Sequence, residues 1–127
     1  MQINGLDHFN LSAPSAVLEE LRRFYCEVLG LTVGHRPPFR GDGYWLYAGD
    51  LALVHLSVVD DTATATTDVQ TTLGHVAFAC SGRETFERRL ESSGVTFRRA
   101  TVPDTGIHQL FFEDPAGNCI ELSFGDD

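Results

Sequence analysis

Leu6-Asp7-His8 and Val54-His55-Leu56-Ser57 each occur a second time in this sequence, as Leu73-Gly74-His75 and Ile120-Glu121-Leu122-Ser123. The copies are separated by nearly the same number of residues, and they align His with His and His with Glu. All four polar residues stand in otherwise apolar segments. We therefore predict two similar halves that close around one polar point, and a divalent metal site is the simplest such point.

Size, composition and charge limit the kind of protein this can be. The 127 residues suffice for one domain with a core, 43% of them are hydrophobic, and nine are Phe. The net charge of −9 argues against nucleic acid or an anionic membrane surface as a partner. No transmembrane run or signal-peptide layout is evident, so we expect a cytoplasmic protein. An odd number of cysteines (Cys26, Cys80 and Cys119) favours free thiols.

The pattern of apolar residues predicts an α+β fold of two β-α-β-β-β units in a single domain, 1–127. Unit one spans 1–59, a small, polar linker spans 60–72, and unit two spans 73–127. Ser12 or Ser15 should cap the first helix, and Gly30 and Gly94 should end the two helices. The expected strands are 1–12, 31–36, 43–47 and 51–59, then 73–80, 95–101, 107–112 and 119–124. The first expected helix is 15–29, with an apolar stripe of Val17, Leu21, Phe24 and Val28 that is widened by Leu18, Tyr25 and Leu29. The second is 83–93, with Phe86 and Leu90 inward.

Four candidate metal ligands occupy equivalent strands of the two units. His8 and His75 lie in the first strand, and His55 and Glu121 lie in the last. If a pseudo-twofold axis relates the units, each forming half of an open half-barrel cleft, the four side chains converge. Three imidazoles and a carboxylate suit Fe²⁺, Mn²⁺, Ni²⁺, Co²⁺ or Zn²⁺. Alternatively, each His is an ordinary core or edge residue, and an arginine pairs with Glu121; two arginines are available, Arg98 and Arg99.

Longer motifs resemble the vicinal oxygen chelate superfamily, which includes glyoxalase I, fosfomycin-resistance transferases, methylmalonyl-CoA epimerase, extradiol dioxygenases and bleomycin-resistance proteins. The resemblance covers essentially the whole chain. It is specific for the superfamily and not for the reaction. The motifs that carry it are Leu6-Asp7-His8-Phe9, Phe24-Tyr25, Val28-Leu29-Gly30-Leu31, Gly74-His75-Val76-Ala77-Phe78 and Asp114-Pro115-Ala116-Gly117-Asn118-Cys119-Ile120-Glu121-Leu122.

This resemblance implies one divalent metal ion per site, with ligands His8, His55, His75 and Glu121, and it implies a homodimer. Glyoxalase I normally has Glu where this chain has His55, and an imidazole is less suited than a carboxylate to proton shuttling. The epimerases have a neutral ligand at that position. The dioxygenases and fosfomycin enzymes use two His and one Glu, which would leave His55 as a pocket residue.

Further residues are candidates for the same pocket. Glu121 or His108 could carry a proton; the alternative for His108 is a strand-end histidine that faces water. The candidates for substrate binding are Asn10, Tyr44, Tyr47, Arg36 and Arg40, where the tyrosines could instead be core and the arginines merely solvated.

Three functions follow from the resemblance. A glyoxalase-like lyase or isomerase that binds a small molecule through neighbouring oxygens comes first, because four ligands are present. An Fe²⁺-dependent extradiol-type dioxygenase that uses His8, His75 and Glu121 comes second. The third is a non-catalytic resistance protein that sequesters a small molecule, which the retained ligand set disfavours, since bleomycin-binding members generally lack the ligands.

Overall fold

The chain forms two compact units, Met1–Asp68 and Val69–Asp127. The computed structural model describes residues 1–2, 4–60, 73 and 75–125, so the predicted linker lies outside the described residues apart from Asp60. Unit 1 contains β1 (Phe9–Ala13), α1 (Ser15–Glu27), β2 (Thr32–Gly34), β3 (Gly43–Ala48) and β4 (Leu51–Val58); unit 2 contains β5 (Val76–Cys80), α2 (Arg83–Ser92), β6 (Arg98–Thr101), β7 (His108–Glu113) and β8 (Cys119–Phe124).

The two sheets have the same topology, as the repeat predicts. The strand order is β1-β4-β3-β2 in unit 1 and β5-β8-β7-β6 in unit 2. The first and last strands of each unit pair in parallel, and the other pairs are antiparallel. The predicted α+β fold of two β-α-β-β-β units is confirmed, and neither sheet closes into a barrel.

Each sheet has one face toward its own helix, called here the helix face, and an opposite face, called the far face. In unit 1, α1 packs on β3 and β4. The core there consists of fully buried side chains from the helix and the helix face, namely Leu18, Leu21, Tyr25, Leu46, Val54 and Leu56. In unit 2, Leu90 of α2 is buried, and the Phe86 ring lies 5.9 Å from the ring of Phe124. Because strand residues alternate, the residues between the core positions point to the far face.

Some predicted boundaries were wrong. The first strand of each unit begins later than expected, at Phe9 and at Val76, so His8 and His75 each stand one residue before their strand. The N-cap of α1 is Pro14, with no side-chain cap, rather than Ser12 or Ser15. The glycine terminators were predicted correctly, and both have positive φ, +79° at Gly30 and +70° at Gly94.

The buried stripe of α1 lies within the predicted one. Leu21 and Val28 are buried, as are Leu18 and Tyr25 from the widened part of the stripe. Val17 and Phe24 are only half-buried, so the stripe is centred on the widened part, and its spacing of three and four residues holds.

The three cysteines are free, as predicted, and each is half-buried. Neither helix in the described part of the chain has the length and apolar character needed to cross a bilayer.

Candidate metal-ligand pairs

Three rings stack in a row on the far face of unit 1. Asn10, His55 and Trp45 lie directly opposite one another on β1, β4 and β3, and His8 precedes Asn10 by two residues on the same side. The ring centres of His8 and His55 are 3.8 Å apart with an angle of 15° between the planes, and those of His55 and Trp45 are 4.0 Å apart at 9°. The two candidate ligands of unit 1 are therefore adjacent, and the indole covers one side of the pair.

One nitrogen of each imidazole in this pair is already occupied. His8 Nδ1 lies 2.5 Å from Asp7 Oδ2, and His55 Nε2 donates to the carbonyl oxygen of Ala52 at 3.1 Å. Among the described residues, His8 Nε2 and His55 Nδ1 have no hydrogen-bond partner and remain available for another ligand. Histidines that bind metals generally donate their second nitrogen to a carboxylate or a carbonyl in this way.

The pKa of His55 is lowered from 6.5, first because burial penalises the imidazolium and then because His8 lies close by. The hydrogen bond to Ala52 and the Asp7 carboxylate act in the opposite direction without reversing the shift. His55 is therefore neutral at neutral pH, which is the form that binds metals.

Asn10 lies in a polar network on the same far face. Its Oδ1 accepts a hydrogen bond from Ser57 Oγ at 2.8 Å, and its Nδ2 donates to Ser12 Oγ at 3.0 Å. The amide is thereby held across from His55, where it can contact a ligand.

A buried carboxylate defines the far face of unit 2. The side chain of Glu121 is 8% exposed, compared with 46% for His75. Gln109 Nε2 donates to Glu121 Oε1 at 2.7 Å, and His75 Nε2 lies 3.0 Å from Glu121 Oε2. The rings of Phe111 and His75 are nearly perpendicular, with 5.9 Å between the ring centres.

No arginine of the described residues pairs with Glu121. Arg99 points to the helix face, where it binds both carboxylate oxygens of Glu87 at 3.1 Å. The guanidinium of Arg98 lies over the Phe111 ring, with its carbon 4.5 Å from the ring centre. The alternative explanation of Glu121, an ion pair with an arginine, is therefore wrong for this structure.

The geometry of this second pair suits a shared metal ion. Two donor atoms at roughly 2.1 Å from one ion, at a right angle, are themselves about 3 Å apart. The observed separation of Nε2 and Oε2 is 3.0 Å. A neutral imidazole and a carboxylate are also the donor types that Zn²⁺, Fe²⁺, Ni²⁺ and Co²⁺ accept.

Neither unit, over its described residues, contains a group of three or more His, Cys, Asp or Glu side chains that could hold a metal ion by itself. Each unit contributes one pair: His8 with His55, and His75 with Glu121.

His108 lies away from the second pair. It shares the helix face with Leu110 and Phe112, because these residues alternate with Gln109 and Phe111 along β7. Its Nδ1 lies 3.3 Å from Thr101 Oγ1, and the ring lines a cavity of about 580 Å³ beside the start of α2. The sheet itself separates His108 from Glu121, which corrects the expectation that the two could serve one site as proton carriers.

Three other predicted pocket residues form hydrogen bonds within the protein, away from the two pairs. Tyr44 is on the helix face and donates to Glu19 Oε1 at 2.5 Å, which raises the pKa of the phenol. Tyr47 donates to the carbonyl oxygen of His35 at 2.6 Å. Arg36 donates to the carbonyl oxygen of Gly41 at 3.3 Å and lines a cavity of about 310 Å³ beside α1 together with Tyr44. The hydroxyls of both tyrosines are thus used within the protein.

Arg40 is exposed in the loop before β3. It is the fifth predicted substrate-binding residue, and within the part of the chain that the structure describes no contact places it near either pair.

Sequence reasoning missed the neighbours of the pairs, Trp45, Gln109 and Phe111. Trp45 and Phe111 hold equivalent places, directly opposite His55 and Glu121 on the adjacent strand. The repeat contained this signal, because an aromatic residue stands at the same strand position in each half. Gln109 follows from alternation, since it shares the face of Phe111.

The profile described as "Glyoxalase/Bleomycin resistance protein/Dioxygenase superfamily" matches residues 5–122. The chain belongs to this superfamily. The resemblance seen in the motifs is thereby confirmed, and the match spans all four candidate ligands.

Individual superfamily members agree with this assignment. The chain is 29% identical over 126 residues to Glyoxylase I 4 of Arabidopsis thaliana, covering 96% of this chain and 71% of the relative. A solved structure from Bacillus anthracis, assigned to the glyoxalase family, has a TM-score of 0.77 at 25% identity, covering 99% of this chain and 98% of the other.

The same fold occurs in proteins with different descriptions. Lactoylglutathione lyase from Agrobacterium tumefaciens has a TM-score of 0.68 at 21% identity, covering 98% of this chain and 96% of the other. TnmS3, an antibiotic binding protein from Streptomyces sp. CB03234, has a TM-score of 0.69 at 22% identity, with 99% of each chain covered. At these identities the likeness extends to the fold alone.

Proposed function

We propose that the protein is a metal-dependent enzyme of the glyoxalase type, in which His8, His55, His75 and Glu121 bind one divalent ion. The observation that supports this most directly is the buried Glu121 carboxylate, which has Gln109 on one oxygen and His75 at 3.0 Å from the other. A buried carboxylate without a cation is costly. An ion beside Oε2 would remove that cost.

The bound ion would act as a Lewis acid on two neighbouring oxygens of a small substrate. Gln109 holds Oε1 and so fixes the direction of Oε2, which makes Glu121 the candidate proton carrier of unit 2. Trp45 keeps the His55 ring in place, and burial keeps that ring neutral. The Asn10 amide provides a hydrogen-bond donor and acceptor next to His55.

Lyase or isomerase chemistry is supported by the name of one relative, Glyoxylase I 4. Formation of lactoylglutathione from methylglyoxal and glutathione is therefore the first reaction to test. We also propose a homodimer, because superfamily members often form dimers. Its mass in solution can be measured by light scattering.

A metal titration tests the proposal without assuming a substrate. Trp45 is the single tryptophan of the chain and lies 4.0 Å from His55, so Co²⁺ or Ni²⁺ binding should quench its fluorescence. We expect saturation at one ion per chain and a loss of affinity of at least tenfold in Glu121→Gln and His75→Ala. His108→Gln is the matched control, since that ring is on the helix face, and its affinity should be unchanged.

A three-ligand site of His8, His75 and Glu121 is the second candidate. It is favoured by one observation: the His55 ring is stacked between Trp45 and His8, as expected for a residue of the pocket wall. In that case His55→Ala binds metal normally, the purified protein contains iron, and catechols drive oxygen uptake. If Glu121→Gln and wild type both fail to bind any of these ions, the protein is a binding module and the enzyme proposal is wrong.

A further inference from the structure

Arg98 stands in a cross-strand row with the second ligand pair. The row runs across four strands, each residue directly opposite the next, in the order Arg98, Phe111, Glu121 and Ala77. All four residues therefore share the far face of unit 2. Two strand spacings separate Arg98 from Glu121, roughly 10 Å between backbones. The Phe111 ring fills the space between them and contacts both the guanidinium and His75.

The guanidinium of Arg98 is exposed and free to bind. Within the described part of the chain it makes no ion pair or hydrogen bond, and its position over Phe111 leaves its N–H groups unused. Arg99, the next residue, differs from Arg98 because its guanidinium already forms ion pairs with Glu87 and Glu91 of α2 on the helix face.

The described strand residues on the far face of unit 2 include no other arginine and no lysine. They do include two carboxylates, Glu113 and Glu121, in a chain with a net charge of −9. Arg98 is the one cationic side chain among these described strand residues, and a guanidinium in such surroundings attracts an anion. Its planar set of donors matches a carboxylate.

The corresponding position in unit 1 has no such group. Gly34 is opposite Trp45 as Arg98 is opposite Phe111, and a Cβ at Gly34 would lie 2.6 Å from the Tyr47 ring. The repeat therefore places an aromatic ring beside the last-strand ligand in both halves but a cation in only one. This asymmetry is expected if one end of a substrate is charged.

We propose that Arg98 binds a carboxylate of the substrate, and that the substrate has this carboxylate a few bonds away from the pair of neighbouring oxygens that it presents to the metal. The inference rests on the proposed function for the placement of those oxygens. It adds a class of substrate, a small molecule with a second, remote carboxylate, and it assigns a specificity-determining residue.

The first test compares ligands that differ only at the remote end. Zn²⁺-loaded protein is titrated by calorimetry with 2-oxopentanoate, 2-oxoglutarate and 2-oxoadipate at constant ionic strength. We expect one of the two dicarboxylates to bind roughly five- to tenfold more tightly than the monocarboxylate, as for a charge-assisted contact at a partly exposed site. Arg98→Gln should abolish this preference and leave 2-oxopentanoate unaffected. Arg99→Gln, the matched control, should retain it.

The second test works without the metal. In the presence of EDTA, glutarate is added to ¹⁵N-labelled protein, and the Nε–H signals of Arg98 and Arg99 are followed by NMR after assignment with the two variants. We expect saturable shifts at Arg98 and none at Arg99. A preference that survives in Arg98→Gln, or an Arg98 signal that does not move, overturns the inference. Failure of every ligand to bind the Zn²⁺-treated protein, with a normal Arg98 response to glutarate, would instead count against the proposed metal site.

Discussion

The side chains of Gln109 and Glu121 should be energetically coupled through their hydrogen bond. The structure allows the coupling energy to be estimated. The acceptor is a carboxylate that is 8% exposed, and the donor atom lies 2.7 Å away. Hydrogen bonds to charged groups contribute about 1.5–3 kcal/mol, and a buried charge that loses its donor has no water to replace it. We expect Gln109→Ala to lower the free energy of unfolding by about 2 kcal/mol.

The assay is a double-mutant cycle of Gln109→Ala and Glu121→Ala, measured by urea unfolding in EDTA so that no metal contributes. With a urea dependence of about 1–3 kcal/mol per M, the single variant Gln109→Ala should unfold at a urea concentration about 1 M lower. The double variant should cost less than the sum of the single variants, because removing both partners leaves no buried carboxylate. The coupling energy should be about 1.5–3 kcal/mol.

A matched control is available in unit 1. Ser57 and Asn10 form a cross-strand hydrogen bond of 2.8 Å between neutral groups, and Asn10 is exposed. The cycle Ser57→Ala with Asn10→Ala should therefore give a coupling energy below about 1 kcal/mol. A coupling of Gln109 with Glu121 no larger than that of the control would refute the view that Gln109 supports a buried charge. The same variant Gln109→Ala should also weaken metal binding by about 10- to 100-fold, because it frees the ligand to rotate.

Three further predictions concern single groups. The pKa of His55 in the folded protein is lowered below 6.5, so as the pH falls His55 is protonated in the unfolded chain before it is protonated in the folded protein. The contribution of neutral His55 to the free energy of unfolding is therefore fully present above about pH 6.5 and is lost as the pH falls toward the lowered pKa. In metal-free protein the fluorescence of Trp45 should show this titration with a midpoint below 6.5, and His55→Gln should remove it. Burial raises the pKa of Cys80 to about 11. Iodoacetamide at pH 8 should therefore label Cys80 far more slowly in folded than in urea-unfolded protein, because the thiolate is the reactive form. Labelling is measured by mass spectrometry, and equal rates would contradict the burial of Cys80. A Cβ at Gly43 would lie 2.1 Å from a carbonyl oxygen of β4. Gly43→Ala should therefore lower the free energy of unfolding, measured by thermal unfolding, by on the order of 2–3 kcal/mol. Gly125→Ala is the control and should leave stability unchanged, because a Cβ there would have nothing within 4 Å.

The fold was largely predictable because its determinants are local and repeated. Alternation in the strand 119–124 identified β8 without error, and Gly30 and Gly94 marked both helix ends. The starts of β1 and β5 were not predictable in the same way. Apolar alternation continues N-terminally of each strand, but pairing with β4 and β8 begins only at Phe9 and Val76, and strand partners are distant in sequence.

The candidate site was predictable in its residue types and not in its contacts. The repeat pointed to His8, His55, His75 and Glu121, and the structure brings them together in pairs within each unit. The structure also places His108 and Tyr44 on the helix faces rather than on the far faces. Each is one residue along its strand from a far-face residue, and a shift of one residue reverses the face. Sequence reasoning could not make that distinction, since it requires knowing which face of each sheet the helix covers.

The sequence by itself determined the duplication, the types of donor atom and the superfamily, since each of these is contained in a short stretch or in the spacing of two stretches. Only the tertiary structure decided which side chains neighbour the donors: Gln109 on Glu121, Trp45 on His55, and Arg98 at the end of the row. The physical reason is that strand pairing and the burial of one sheet face join residues that are far apart along the chain. The direction and partners of a side chain therefore depend on register and packing, which no single segment encodes.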